Sequence, residues 1–239
     1  MSNSQSFLRT FSDIERWLRQ QLQADRSVTF YQLVERVAEK NTSVRRYKED
    51  LKEFADLRNA IVHERSDEHV IAEPNDRAVH DFDRVRELLL KPPTIYPQFQ
   101  KVVKSREQRD PISDAIEDMR EGSFSQLPIT FDGRFVALLT TETVVRWLAS
   151  EVSEDLVSLQ STSIEKVLPH VEDDNHYCFL SKRATLDDAL SKFAGFNARG
   201  KHLDAILITE DGKIEQKLLG ILTVYDLPEV HKTLGVGRK

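Results

Sequence analysis

Chemistry in this chain is sought first where a hydroxyl and a carboxylate stand one helical turn apart. The run Leu218-Leu219-Gly220-Ile221-Leu222-Thr223-Val224-Tyr225-Asp226 is an apolar strand that ends on Thr223, with Asp226 three residues on. A carboxylate only accepts hydrogen bonds, and it can hold two vicinal hydroxyl donors at once. A hydroxyl at a helix N-terminus sits where free N–H groups and the helix dipole favour an anion. The same two residues also suit a plain helix start, with Thr223 as N-cap and Asp226 beside it, worth roughly 1 kcal/mol. A fainter copy spans Phe135 to Thr143. There Thr140 keeps the threonine, while Ala137 stands in place of the glycine and Thr143 in place of the aspartate.

A second constellation is Arg58-Asn59-Ala60-Ile61-Val62-His63. Five residues at about 100° each put Arg58 and His63 roughly 140° apart on a straight helix. One helix cannot easily aim both at one point. They meet only if the helix frays at His63 or if two bundles pair symmetrically. The alternative is a histidine at a helix C-terminus and an arginine paired with Asp56 or Glu53. No metal site is expected: His69, His80, His170, His176, His202 and His231 lack ligand spacing with carboxylates on one face. Glu172-Asp173-Asp174 reads as a solvated acidic loop. The sequence contains no glycine-rich phosphate loop and no G-x-S-x-G elbow.

The elements that must position these groups follow from periodicity. Phe7, Leu8, Phe11, Ile14, Trp17, Leu18 and Leu22 share one stripe, which predicts a helix over 7–22. A second helix opens at Thr29, where Thr-x-x-Gln resembles a capping box. A third is expected from about Val44 to His63, and a fourth after Pro74-Asn75. Pro92-Pro93 ends this pattern, because proline neither continues a helix nor favours one before it. An all-α bundle over 1–91 is therefore predicted. Beyond it the order is helix, strand, Asp132-Gly133, strand and helix, where Asp-Gly is a hairpin signal. That order returns with helix at Leu186–Phe193, strand at Ala205–Thr209, Asp211-Gly212, strand at Leu218–Leu222 and helix from Val224. The second hairpin carries extra residues around Glu215 to Lys217. The expected fold class is α+β, with repeats over 94–152 and 153–239.

Composition sets the bounds. The 239 residues carry 34 basic and 40 acidic side chains, for a formal net charge of -6. Residues before Pro92 hold 16 basic and 17 acidic groups, so neither part is the polycation that a nucleic-acid surface normally shows. The single cysteine, Cys178, excludes an intramolecular disulfide and a cysteine-based zinc cluster. Between Tyr177 and Phe179 it reads as a buried structural thiol on a strand. No apolar run approaches the roughly 18 residues of a membrane span. The charged first twenty residues are unlike a secretory signal. A cytoplasmic location is expected, with no membrane partner.

A tandem β-α-β-β-α unit with Asp-Gly in the hairpin and Gly220-Ile221-Leu222-Thr223-x-x-Asp226 resembles the CBS domain pair, or Bateman module, over about residues 94 to 231. The resemblance implies two units packed head to tail, with adenosine-containing ligands in the clefts between them. These ligands include AMP, ADP, ATP, S-adenosylmethionine and cyclic dinucleotides. It implies that Thr223 meets phosphate or ribose oxygens, that Asp226 takes the ribose hydroxyls, and that Gly220 lets a ligand approach the backbone. Thr140 would play the threonine role in a weaker first site, so one good site is expected. Lys182 and Arg183, beside the strand that opens the second repeat, would neutralise phosphates unless they are simply solvated.

The segment Arg58-Asn59-x-x-x-His63, late in a helical bundle, is similar to the Arg-x4-His signature of HEPN domains. Some of these are metal-independent ribonucleases, and others are binding or dimerisation modules. The resemblance implies His63 as general acid or base, Arg58 as stabiliser of phosphate charge and Asn59 as an orienting group. Glu64-Arg65 lacks the aromatic found two residues after the histidine in some nuclease members. The expected function is a nucleotide-sensing regulatory homodimer, with the bundle as output or dimerisation module. The alternative is a nucleotide-gated ribonuclease acting on RNA.

Overall fold

Two reciprocal capping boxes start the first helices. Ser2 accepts from the Gln5 amide while Gln5 reaches back to Ser2, and Thr29 and Gln32 repeat the arrangement. The computed structural model describes residues 2–63, 73–151, 158–171 and 176–235, with the His63 side chain left aside. The chain divides into two compact units, residues 1–93 with 185–191, and residues 94–184 with 192–239.

The first unit holds helices α1 (Asn3–Leu22), α2 (Phe30–Ala38), α3 (Thr42–Arg46), α4 (Lys48–His63) and α5 (Asp76–Leu90). Their apolar stripes meet in one core around Phe7, Ile14, Leu18, Leu33, Leu51 and Phe82. Phe54 stacks on Phe82 with ring centres 4.2 Å apart. The single helix expected over 44–63 is two helices that break at Tyr47. Periodicity missed the break because Val44 and Leu51, two turns apart, are both fully buried on either side of it.

Residues 185–191 belong to this unit and open helix α9 (Leu186–Asn197). Thr185 and Asp188 cap its start reciprocally, at 2.9 and 3.1 Å. Asp187, 2% exposed, accepts a hydrogen bond from Ser43 at 2.7 Å and pairs with Arg46. Thr42 donates to Asp188 at 2.6 Å. The kink at Tyr47 thus ends the short helix α3 that presents these three donors. Burial, with the Asp187 charge nearby, pushes the Tyr47 phenol up to about 12.

The second unit contains two related three-stranded sheets. In the first, β1 (Arg106–Glu107) runs parallel to β2 (Gln126–Phe131), which is antiparallel to β3 (Arg134–Thr140). Helices α6 (Ile112–Gly122) and α7 (Thr141–Glu151) complete the β-α-β-β-α order. After the short α8 (Ile164–Val167), the second sheet repeats that order. Here β4 (Tyr177–Ser181) is parallel to β5 (Ala205–Thr209), which is antiparallel to β6 (Gly220–Thr223), and α10 (Leu227–Leu234) follows. Ala115 and Ala189, equivalent in the repeat, are both fully buried. Phe135 and Leu138 of β3 share a core cluster with Ala205 and Leu207 of β5. Phe135 meets Tyr177 and Phe179 edge-on at 5.1 and 5.3 Å. The two repeats therefore bury sheet faces against each other, as a half-covered sheet must.

The hairpins differ as their lengths suggest. Asp132 and Gly133 both have positive φ, which a two-residue turn between right-twisted strands requires. The second connection runs over 210–219, and Gln216 ties it by accepting from the Asp211 amide at 2.8 Å. Strand β6 starts at Gly220, two residues later than expected. Helix α10 begins at Leu227, after a 3-10 turn over Val224–Asp226.

One ion cluster around a buried carboxylate stabilises the first repeat. Asp118, 3% exposed, accepts from Arg106 Nε at 2.6 Å and Nη2 at 2.9 Å, and also pairs with Lys104. The Arg106 hydrogen bonds hold its carboxyl down at about 2. The folded value lies below the unfolded one, so this contribution is complete above about pH 4 and fades as pH falls toward 2. Asp118→Asn is expected to cost about 2–3 kcal/mol at pH 7. Urea unfolding at pH 7, 4 and 3 should show the gap from wild type narrowing at the lowest pH.

Candidate functional site

Each threonine that closes a repeat's last strand opens onto a cleft within the second unit. One cleft, of about 360 Å³, is lined by Ile221, Thr223, Tyr225 and Asp226 on one wall. Its other wall comes from the first repeat: Lys101 to Lys104 before β1, Gly122 to Phe124 at the end of α6, and Gln126 and Pro128 of β2. The second cleft, of about 530 Å³, inverts this assignment. Thr140, Glu142, Thr143 and Arg146 of the first repeat face Val171, His176 and the segment Gly200 to Asp204 that leads into β5. The two clefts are related by the duplication: Thr140 takes the place of Thr223, and Thr143 that of Asp226.

In the smaller cleft, Asp226 is only partly committed. Its Oδ2 accepts from the Thr223 amide at 2.8 Å and from Thr223 Oγ1 at 3.1 Å, the reciprocal contact of a capping box. Its Oδ1 receives Lys101 Nζ at 2.9 Å. The Asp226 side chain is 17% exposed and that of Lys101 49%. Tyr225 is 77% exposed at the cleft edge, and Phe124 and Val103 add apolar surface. A carboxylate with lone pairs to spare, beside a flat aromatic and a cation, can hold a diol, a planar base and an anion together.

The larger cleft has a different chemistry. Asp204 Oδ2 meets His176 Nδ1 at 2.8 Å, and Asp204 Oδ1 meets His202 Nε2 at 3.4 Å. Glu142 accepts from Arg146 at 2.9 Å. Thr143 donates its amide to Thr140 Oγ1 at 3.1 Å, so two hydroxyls stand where the other cleft has a hydroxyl and an acid. Glu172-Asp173-Asp174 lies outside the described residues. Among the described residues, no group of three or more His, Cys, Asp or Glu could hold a metal ion. No described helix is long and apolar enough to cross a membrane.

The expected site residues separate into two groups. Ile221, Thr223 and Asp226 line one cleft, and Thr140 lines the other. Gly220 is not among the residues that line either cleft, and a Cβ there would lie 2.2 Å from the Phe99 carbonyl oxygen, so the chain's own backbone fills the space a side chain would take. Lys182 pairs with Glu210 at 2.8 Å and Arg183 with Asp211 at 2.7 Å, and neither lines either cleft. The acids that follow β5 hold these cations, which is why they are not turned to a phosphate. Lys101, Lys104, Phe124 and the His176–Asp204–His202 group carried no sequence signal, because each faces a motif from the other repeat.

In the first unit, Arg58 donates to Asn59 Oδ1 at 3.4 Å and lies 5.6 Å over the Phe11 ring. Asp56, a proposed partner of Arg58, accepts from the Tyr31 hydroxyl instead. His63 is the last residue of α4, and its side chain lies outside the described residues. Cys178 is half-buried, and burial pushes its thiol up to about 11, which leaves little thiolate at neutral pH.

Comparison with known proteins points the same way for the first repeat. The CBS domain family model matches residues 85–150, from within α5 to the end of α7. No curated protein matches the chain. Among solved structures, a protein with CBS domains from Burkholderia ambifaria is 14% identical over 61% of this chain and 91% of its own, with a TM-score of 0.42. The CBS domain pair of protein MJ0100, in complex with 5'-methylthioadenosine and S-adenosyl-L-methionine, is 15% identical over 59% and 96%, with a TM-score of 0.42. CBSX2 in complex with AMP is 14% identical over 60% and 98%, with a TM-score of 0.43. By the family-model match alone, residues 85–150 carry a CBS domain.

Proposed function

We propose that residues 94–235 act as a paired CBS module that senses an adenosine-containing ligand, with the bundle as its output or dimerisation partner. The observation that carries this reading is the smaller cleft. It sets a Thr-x-x-Asp carboxylate, an exposed tyrosine and two lysines around 360 Å³, a volume suited to a small molecule. Asp226 would take the ribose hydroxyls, Thr223 a ribose or phosphate oxygen, and Tyr225 or Phe124 the face of the base. The nucleotide classes in view are AMP, ADP, ATP and cyclic dinucleotides. A ligand can bias the bundle only if it prefers one arrangement of the module over another. Any ligand bound solely by the folded state raises the melting temperature, by an amount that grows with concentration. A melting screen against these nucleotides should therefore yield at least one saturable rise. A flat response to all of them would leave a structural dimerisation protein as the better description.

The ribonuclease alternative rests on Arg58 and Asn59 standing together on the helix that ends at His63. It requires RNA cleavage that persists in chelator and disappears on His63→Ala.

A further inference from the structure

We infer that Lys101 is an internal latch on the smaller cleft, and that the ligand which opens it must carry an anion to receive the displaced ammonium. The inference rests on the reading of this cleft as an adenosine site. Asp226 Oδ2 is engaged by Thr223 from two directions, at 2.8 and 3.1 Å, and those contacts also cap the following turn. Oδ1 is therefore the oxygen left for a ribose diol, and Lys101 Nζ already occupies it at 2.9 Å. A diol cannot settle on Oδ1 with full strength until that ammonium moves. Lys101 is half exposed and hangs on a flexible stem, so it can move without disturbing the fold.

The ligand then decides what becomes of the cation. An uncharged nucleoside takes the carboxylate and leaves the ammonium with water alone, so it loses one charge-assisted bond for those it gains. A 5'-phosphate offers the ammonium a new partner within the same cleft. Lys101 thus turns from a competitor of the ribose into a ligand of the phosphate. The latch selects for phosphorylated nucleosides and against neutral ones by the same side chain.

Calorimetric titration of AMP and of adenosine into the full chain tests this, scored as the binding that Asp226→Ala weakens at least about tenfold. Wild type should prefer AMP by at least about tenfold. Lys101→Met should weaken AMP and strengthen adenosine, reducing that preference about tenfold, while Lys101→Arg should keep it. The ligand-free melting temperature of each variant confirms that it is folded. If both ligands bind and Lys101→Met leaves their ratio unchanged, the latch is wrong and the adenosine site stands. If neither ligand binds wild type, the adenosine reading fails and the latch falls with it.

Discussion

Gly220→Val should destabilise the protein by about 3 kcal/mol, enough to shift urea unfolding far below that of the parent. Gly220 is buried at the start of β6, where it pairs with Ile208 on one side and bridges to Gln100 on the other. An added Cβ would stand 2.2 Å from the Phe99 carbonyl oxygen, 3.1 Å from its carbon and 3.3 Å from the Ile208 side chain. Two of these three atoms are backbone, which cannot swing aside as the tip of a side chain can. Gly220 is not among the positive-φ glycines, so the requirement is for space and not for torsion. Gly195, inside α9, provides the contrast: nothing lies within 4 Å of its added Cβ. Gly195→Ala should be neutral or stabilising by up to about 1 kcal/mol, through helix propensity. Similar losses in the two variants would contradict the close approach of Phe99.

Asp226→Ala is expected to have the largest effect on ligand binding, a weakening of about 10- to 100-fold. That range corresponds to the loss of one or two hydrogen bonds to a charged acceptor. The same change removes the Thr223–Asp226 cap and should lower stability by about 1 kcal/mol without ligand. Asp226→Asn separates the two roles. Its amide oxygen can still accept from Thr223, so the cap survives in part, while the negative charge that holds Lys101 and a diol is gone. Near-native stability with lost binding in Asp226→Asn would assign the carboxylate to the ligand. Retained binding in both variants would make Asp226 a helix cap only.

The dual character of Thr223 and Asp226 shows what a sequence can carry. Residue types and spacing pointed both to a cap and to a diol acceptor, and the geometry satisfies the first while leaving one carboxylate oxygen turned to a cleft. The duplicated strand–threonine–helix order and the Asp132-Gly133 turn were equally legible, because both are local. The opposite wall of each cleft was not. Lys101 comes 125 residues before its partner Asp226, and His176 and Asp204 meet Thr140 only through the pairing of the repeats. Lys182 and Arg183 looked like phosphate ligands because their partners, Glu210 and Asp211, lie across the β4–β5 pairing. The break at Tyr47 was hidden because the apolar spacing runs unchanged through it. Asp187, which holds Ser43 and Arg46 of the short helix before the break, lies far along the chain.

The central claim is that the Asp226 cleft binds an adenine nucleotide. It is tested most directly by photolabelling the full chain with 8-azido-AMP and mapping the modified peptides by mass spectrometry. Labels are expected on Tyr225, Phe124 or the Lys101–Lys104 segment, suppressed by excess AMP and strongly reduced in Asp226→Ala. Labels confined to residues 1–91 or to the His176–Asp204 cleft, or labels that excess AMP does not suppress, would contradict it.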